Sequence, residues 1–214
     1  GLTAELVSQK FGISRADQDA FALSSHQKAV RAVQSGAFKD EIVGFETSVL
    51  DDKGQWKKIH FDTDEGPRAD TNPEALAKLK PAFDTQGTVT AGNASQMTDG
   101  AAATVLMERT QAESAKLPIL GYFRAFVTAG VPPEIMGIGP VPAIQKLMKQ
   151  TGLKISDIGV FEINEAFAAQ ALYCVRELNL NPEIVNPCGG AIALGHPLGC
   201  TGARQVATIL RELK

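Results

Sequence analysis

The pattern of apolar and polar positions at the start of the chain predicts two short helices. We place their N-caps at Thr3 and Ser14, because hydroxyl side chains favour helix starts. We place their ends at Gly12 and Gly36, because glycine readily adopts the conformation that terminates a helix. Both helices are expected to be peripheral elements of the fold.

The next stretch alternates with the period of β-strands. Residues 41–50 and 55–62 are rich in β-forming residues, and the Asp51-Asp52-Lys53-Gly54 sequence between them is typical of a turn. A β-hairpin is therefore predicted. We interpret His60 as a residue on the surface of its second strand.

A boundary is predicted near Gly87, after a polar stretch that prolines interrupt. Beyond it, patterns typical of buried strands alternate with patterns typical of helices. The predicted strands are 101–107, 119–129 and 158–163, and the predicted helices are 108–116, 141–151 and 165–178. Such alternation indicates an α/β protein.

Composition and charge exclude some classes of function. A hydrophobic content of 44% in 214 residues is enough for one large or two modest domains. The formal net charge of −3 argues against a nucleic-acid-binding protein, which usually carries a basic face. No apolar run reaches the roughly 18 residues of a membrane span, and no targeting leader opens the chain. The small basic cluster of Arg68, Lys78 and Lys80 suits either a solvated face or an anionic small ligand.

The cysteines give no sign of a metal site. Cys174, Cys188 and Cys200 form no C-x-x-C pair and no zinc-like spacing with the histidines. A disulfide framework is not indicated either. A reducing compartment is the simpler interpretation, and all three are expected to be packed thiols.

Residues 186–204 form a glycine-dense stretch with one histidine, His196, between Gly195 and Pro197. Glycine allows close backbone approach, and proline stiffens the residue that follows the histidine. A histidine held in this way suits proton transfer, whereas an arbitrary loop histidine usually has only a structural role.

A second candidate position lies where a predicted strand meets a predicted helix. Asn164 follows the apolar segment that ends at Ile163, and side chains at a strand end project from a rigid element. The alternative is that Asn164 caps the helix that follows. Both roles are compatible.

Three stretches together resemble the thiolase family, in the order and at the spacing that the family shows. They are residues 92–102, residues 186–204, and Asn164-Glu165-Ala166-Phe167-Ala168. The resemblance runs along the whole chain and is strongest to the peroxisomal, degradative branch of the family.

This resemblance implies an α/β fold with a thiolase-like layered α-β-α-β-α core, here incomplete, and part of an inserted loop domain. Residues 1–86 resemble the later part of the loop domain that covers the substrate. Residues 87–117 resemble the last part of the N-terminal half, and residues 118–214 resemble a truncated C-terminal half.

The family chemistry assigns roles to two residues. Asn164 matches the family asparagine that holds a water molecule, and that water and His196 form an oxyanion hole. His196 also matches the base that takes the proton of a nucleophilic cysteine. The implied reaction cleaves 3-oxoacyl-CoA with CoA to acetyl-CoA and a shortened acyl-CoA, as in fatty-acid β-oxidation. Coenzyme A is a substrate here, and no metal or prosthetic group is required.

The resemblance also implies substrate contacts. Ser95 matches the loop that contacts the pantetheine arm, although its neighbours also suit an ordinary turn. Residues that resemble the apolar wall of the pocket are Met136, Ala166 and Phe167. Arg68 and Phe83 resemble residues that hold the nucleotide end of coenzyme A.

Both catalytic cysteines of the family fall outside the chain, one before Gly1 and one after Lys214. Cys200 lies at the possible start of a helix, where a thiolate would be stabilised, but it matches a small residue without a catalytic role. We therefore expect a fragment that is inactive alone. The alternatives are a noncatalytic thiolase-fold protein that binds acyl-CoA or lipid, and a biosynthetic acetoacetyl-CoA thiolase.

By the same resemblance, the complete protein is expected to be a homodimer or tetramer and to be peroxisomal. Its expected partners are acyl-CoA and CoA, with no nucleic acid and no membrane span. The chain-length preference and the direction of flux do not follow from these motifs.

Overall fold

A computed structural model describes residues 1–213 of the chain. Its helices and strands are α1 (Leu2–Phe11), α2 (Arg15–Ser35), β1 (Phe45–Leu50), β2 (Trp56–Phe61), α3 (Pro73–Ala77), α4 (Arg109–Ser114), α5 (Pro140–Thr151), α6 (Ala168–Glu177), α7 (Ala191–Leu194) and α8 (Thr201–Glu212). Short 3-10 helices cover Pro133–Ile138, Ile155–Asp157 and Pro182–Ile184. No helix within residues 1–213 has the length and apolar character to cross a membrane.

Glycine and serine set the limits of α1 and α2, as predicted. Gly12 and Gly36 follow the helices with φ angles of 66° and 74°, in the left-handed region that glycine enters without a Cβ penalty. The Ser14 hydroxyl accepts a hydrogen bond from the Asp17 N–H at 3.1 Å. Ser14 is therefore the N-cap of α2.

The predicted N-cap of α1 at Thr3 is wrong. The helix begins at Leu2, because the Gly1 carbonyl already accepts hydrogen bonds from the backbone N–H groups of Ala4 and Glu5. Thr3 therefore lies within the first turn of the helix.

The predicted β-hairpin is confirmed. β1 and β2 pair antiparallel, with Phe45 opposite Phe61, and residues 51–54 form the turn between them. His60 lies on the exposed surface, as expected, and its Nδ1 atom lies 2.8 Å from a Glu46 carboxylate oxygen. The contact of His60 with Glu46 therefore lies at the surface of the hairpin.

The core lies between helices that meet through small side chains. α2 packs against α6 and α7, and α1 packs against α6 and the 3-10 helix Pro133–Ile138. Ala22 and Ala29 on α2 are fully buried, which allows the helix backbones to approach closely. A second apolar cluster lies beside α6 and consists of Phe161, Ile163, Val175, Leu180 and Val185.

The three predicted strands after Gly87 are not strands in this structure. Residues 101–107 and 119–129 have no regular secondary structure, and Val105 is 83% and Phe126 74% exposed. A strand needs a neighbour to pair its backbone N–H and C=O groups. Among the described residues no segment pairs with these two stretches. In 158–163, Phe161 forms a single parallel bridge with Val185.

The three predicted helices of this region are confirmed as α4, α5 and α6. α6 starts at Ala168 instead of Glu165, because the preceding residues are bound to another loop. The Ala166 carbonyl accepts a hydrogen bond from the Ser95 N–H, and the Ala168 N–H donates to the Asn93 carbonyl. These bonds to a separate segment replace the first helical turn.

Candidate active site

His196 lies in a tight connection between α7 and α8. Gly195 has a φ angle of 92°, and a Cβ at this position would collide with the Thr98 side chain. After the histidine, the Pro197 carbonyl accepts hydrogen bonds from the Cys200 and Thr201 N–H groups, which starts α8. The glycine-rich sequence thus fixes the imidazole just before the N-terminus of a helix.

The hydrogen bonds around His196 select one tautomer. The Thr201 hydroxyl donates its single proton to the Pro197 carbonyl at 3.1 Å, so it accepts from the His196 Nδ1–H at 2.7 Å. On the other side of the ring, Nε2 lies 3.2 Å from the Asn164 Nδ2 atom, an amide donor. This network assigns the proton to Nδ1 and leaves Nε2 as a proton acceptor.

Electrostatics also favour a neutral imidazole. Partial burial, and then the nearby Arg204 guanidinium, lower the pKa of His196 below its usual value. The unprotonated ring therefore predominates at neutral pH. This is the state in which a histidine acts as a general base.

Asn164 is held by a hydrogen-bonded segment that runs beside residues 184–186. The Ile163 N–H donates to the Asn186 side-chain oxygen at 2.8 Å, and the Asn186 amide donates to the Ile163 carbonyl at 2.8 Å. Asn186 has a φ of 44°, in the left-handed region that asparagine tolerates. The Asn186 side chain thus fixes the backbone of Ile163, directly before Asn164.

Glu165 connects this segment to α2 and to the loop before α7. Its carboxylate, which is 2% exposed as a residue, accepts from the Ser25 hydroxyl at 2.6 Å and from the Asn186 amide at 2.8 Å. The Ile192 N–H also donates to it, at 3.3 Å. Burial raises the pKa of Glu165, and these donors oppose that shift. A Cβ at Gly190 would collide with this carboxylate.

The loop that contains Ser95 lies against both parts of the site. The Ser95 N–H bonds to the Ala166 carbonyl at 2.9 Å, and the His196 N–H bonds to the Gln96 carbonyl at 3.3 Å. The Gln96 amide donates to the Ala193 carbonyl at 3.1 Å. The structure therefore brings the segments of Ser95, Ala166 and His196 together.

The remaining predicted contact residues lie further out. Phe83 packs edge-to-face on Phe167, with ring centroids 6.0 Å apart. Met136, on the Pro133–Ile138 helix, is 61% exposed. Arg68 lines a separate groove of about 420 Å³ with Arg31, and its backbone N–H donates to the His26 Nδ1 atom at 3.1 Å. No hydrogen bond within residues 1–213 connects Arg68 or Met136 to His196.

A cleft of about 360 Å³ opens between residues 98–102 and residues 197–200, which follow His196 in the chain. Cys200 lies on its wall and is partly exposed. Cys174 is fully buried, and burial raises the pKa of Cys174 and of Cys188 to about 12, so both thiols stay protonated at neutral pH. No group of three or more possible metal ligands occurs in the described part of the chain.

The sequence did not indicate the residues whose hydrogen bonds hold His196 and the segment of Asn164 in place. They are Ser25, Glu165, Asn186 and Thr201. Glu165 and Asn186 lie inside the quoted stretches but carry no sequence signal for a buried hydrogen-bond network. Ser25 lies in an ordinary helical pattern, 140 positions from its partner. Only the fold shows these contacts.

The whole chain is similar to proteins of one family. The family model described as the thiolase N-terminal domain matches residues 1–110, and that of the thiolase C-terminal domain matches residues 117–214. Over 214 residues the chain is 60% identical to rat peroxisomal 3-ketoacyl-CoA thiolase B and 59% identical to the human peroxisomal 3-ketoacyl-CoA thiolase. A 3-ketoacyl-CoA thiolase of Bacillus subtilis is 53% identical over 218 residues. The chain spans about half the length of these relatives: 50% of the rat and human proteins and 56% of the bacterial one.

The backbone of this chain also superposes closely on solved structures. An acetyl-CoA acetyltransferase of Bacillus anthracis superposes with a TM-score of 0.91 at 45% identity. The dimeric peroxisomal thiolase of Saccharomyces cerevisiae superposes with a TM-score of 0.88 at 53% identity. Each alignment covers 100% of this chain but only 53% and 52% of those two chains.

Proposed function

Because this chain belongs to the thiolase family, we propose that the protein containing it is an acetyl-CoA C-acyltransferase. In this proposal it cleaves 3-oxoacyl-CoA with CoA and releases acetyl-CoA and a shortened acyl-CoA. The names of the relatives with 53–60% identity support this reaction. Because the chain spans about half of those relatives, the activity is assigned to the complete protein.

The observation that carries the proposal is the contact between His196 and Asn164. His196 Nε2 is an unprotonated nitrogen that lies 3.2 Å from the Asn164 amide donor, and the other ring nitrogen is bound to Thr201. Such a nitrogen can take the proton of a cysteine thiol. Protonated, it becomes a donor for a substrate oxygen.

These properties suit thiolytic cleavage. A cysteine from the rest of the protein loses its proton to His196 and attacks the 3-oxo carbon. The bond between carbons 2 and 3 then breaks, and its electrons form the enolate of acetyl-CoA. Each donor aimed at such an oxyanion stabilises the transition state by about 2.7–4 kcal/mol. The enolate takes up one proton, which balances the proton lost by the cysteine, and acetyl-CoA leaves. The CoA thiol then loses its proton and its sulfur attacks the acyl-cysteine thioester, and the cysteine sulfur leaves as a thiolate that takes up a proton.

Substrate contacts follow from the neighbours of this pair. Ser95 and Ala166 lie in segments that adjoin this pair. Together with Phe167 and Met136, they are proposed to contact the pantetheine arm and acyl group. Arg68 and Phe83 are proposed to hold the nucleotide end. The groove shared by Arg68 and Arg31 offers two cations for phosphate groups.

Other properties of the complete protein are proposed by similarity. Coenzyme A serves as a substrate, without a metal or prosthetic group. A homodimer is supported by the Saccharomyces structure, which is described as dimeric, and a tetramer is the alternative. A peroxisomal location is supported by the names of the rat and human relatives.

A second candidate function is biosynthetic condensation to acetoacetyl-CoA. The Bacillus anthracis structure with a TM-score of 0.91 is an acetyl-CoA acetyltransferase, which supports this candidate. A noncatalytic protein that binds acyl-CoA or lipid is the third alternative. The pairing of His196 with Asn164 argues against that alternative, because binding alone does not need an activated base.

A thiolysis assay of the complete protein distinguishes these alternatives. The rate is measured with CoA and either acetoacetyl-CoA or a long-chain 3-oxoacyl-CoA. We expect turnover of the long-chain substrate and a loss of about 100-fold or more in His196→Asn. His60→Asn, on the exposed hairpin, is the matched control and should retain full activity. Turnover confined to acetoacetyl-CoA would favour the biosynthetic enzyme. Binding of acyl-CoA in a calorimeter without turnover would contradict the enzymatic proposal.

A further inference from the structure

Glu162 and Arg204 connect the same two segments that carry Asn164 and His196. Burial alternates along residues 161–165, so that Glu162 and Asn164 lie on one side of this segment. Arg204 lies one helical turn after Thr201 on α8, and therefore on the same face. Arg204 Nη1 donates to Glu162 Oε2 at 3.2 Å. This contact is a second bridge beside the one from Asn164 to His196.

The second bridge is inside the protein. The Glu162 side chain is 3% exposed and the Arg204 side chain 22%. Burial raises the pKa of Glu162 to about 8, although Arg204 acts in the opposite direction. The contact is therefore a hydrogen bond from a guanidinium to a carboxyl group that is largely shielded from water.

Arg204 is also the cation shared by a group of carboxyls, of which Asp64 is exposed and the other three are half-buried or buried. This carboxyl cluster consists of Glu41, Asp64, Glu162 and Glu212, and burial raises the pKa of each member. The Arg204 charge opposes that shift in all four. Arg211, a second arginine of α8, binds Asp40 at the edge of the cluster and does not contact the segment of Asn164.

We propose that Glu162 and Arg204 are positioning residues, which keep Asn164 within hydrogen-bonding distance of His196 by fixing α8 against the segment 161–165. The kinetic consequence rests on the function proposed above. Displacement of a catalytic group by about 1 Å can cost about 100-fold in rate, so a fixed separation between these segments matters for turnover. Neither residue contacts the substrate in this proposal.

Four variants of the complete protein test it in the thiolysis of acetoacetyl-CoA. Glu162→Leu and Arg204→Leu each remove one side of the bridge, and we expect kcat to fall about 10- to 100-fold while KM changes less than about threefold. Glu162→Gln keeps the hydrogen-bond acceptor and should retain kcat within about threefold. Arg211→Leu removes an arginine from the same helix without touching the bridge and should leave kcat unchanged.

The double variant Glu162→Leu/Arg204→Leu separates positioning from stability. A single change leaves a buried polar group without its partner, whereas replacing both by apolar side chains is often neutral for stability. We expect the melting temperature of the double variant to recover towards that of the unmodified protein, while kcat stays low. Recovery of kcat together with the melting temperature would show a merely structural role and would overturn the proposal.

A spectroscopic measurement tests the inference even where turnover is absent. In ¹⁵N spectra the unmodified protein should show His196 Nε2 as a hydrogen-bonded acceptor, assigned with His196→Asn. Glu162→Leu, which leaves the Arg204 charge in place, should shift this signal towards that of an unbound acceptor, and Arg211→Leu should not. If the unmodified protein cleaves neither acetoacetyl-CoA nor a long-chain 3-oxoacyl-CoA, the proposed function fails, and this signal alone decides the inference. An unchanged signal in Glu162→Leu would refute it.

Discussion

His196 has one tautomer in this structure because Thr201 offers its imidazole a single type of hydrogen bond. The Thr201 proton is committed to the Pro197 carbonyl, so the hydroxyl can only accept from Nδ1. The amide of Asn164 then meets a lone pair on Nε2. At the scale of single residues, the tautomer of His196 thus depends on a threonine five positions along the chain.

Thr201→Val removes this acceptor with little change in volume. We expect kcat for thiolysis by the complete protein to fall about tenfold, because the ring can then place its proton on Nε2, where it faces the Asn164 donor. Thr201→Ser keeps the hydroxyl and should restore the rate.

The control for this prediction is Thr208→Val on the same helix. Thr208 is also buried, but its hydroxyl binds Glu41 and not the histidine. An equal loss of kcat in both valine variants would contradict the role assigned to Thr201.

At the scale of secondary-structure elements, α2 supports the loop that precedes α7. Ser25 of α2 accepts a hydrogen bond from the Gly190 N–H and donates to Glu165, so one side chain joins the helix to both parts of the site. The adjacent Gly189 lies against Ala29 and has a φ of 84°. The helix and the loop are in backbone contact here, which only glycine permits.

Gly189→Ala should therefore destabilise the complete protein by about 1–3 kcal/mol or more. The new Cβ would approach the Ala29 N–H and the Ser25 carbonyl to 2.8 Å each, and backbone atoms cannot move aside as a flexible side chain can. Urea unfolding measures the change in the free energy of unfolding.

Gly199→Ala in the same glycine-rich stretch is the matched control. Its Cβ would meet nothing within 4 Å, and its φ lies outside the left-handed region. We expect a change within about 0.5 kcal/mol. Equal destabilisation by the two substitutions would show that the stretch tolerates neither, independent of its contact with α2.

At the scale of the whole molecule, apolar side chains between α4 and α5 and just before α4 are largely exposed. Val105, Leu106, Phe123 and Phe126 are 71–83% exposed, in stretches whose apolar patterns predict buried strands. Surfaces of this kind are usually covered by another part of the protein or by a partner. The chain spans about half of its curated relatives.

We expect the isolated 214-residue chain to self-associate, which sedimentation velocity measures. Replacing these four residues by serine together should shift the chain towards the monomer. Trp56→Ser, at a residue 73% exposed on the hairpin, is the control and should leave the association unchanged. A monodisperse monomer of the unmodified chain would contradict this expectation.

The sequence alone determined the features that depend on near neighbours. The glycine ends of α1 and α2, the serine cap, the hairpin, the helices α4 to α6 and the thiolase family all follow from short patterns, and the α/β fold of that family is confirmed by the solved structures. A helix cap or a turn is decided within about four residues. The domain limits at 86 and 117 and the roles of the site residues stay predictions.

Only the tertiary structure decided what depends on distant contacts. Asn164 meets His196 across 32 positions, and Ser25 meets Glu165 across 140. The bridge between Glu162 and Arg204 belongs to this class, because it needs two elements in fixed relative positions. The three strands predicted after Gly87 are wrong for the same reason. Apolar content can be read from the chain, but a strand also needs a neighbouring backbone, which a local pattern does not specify.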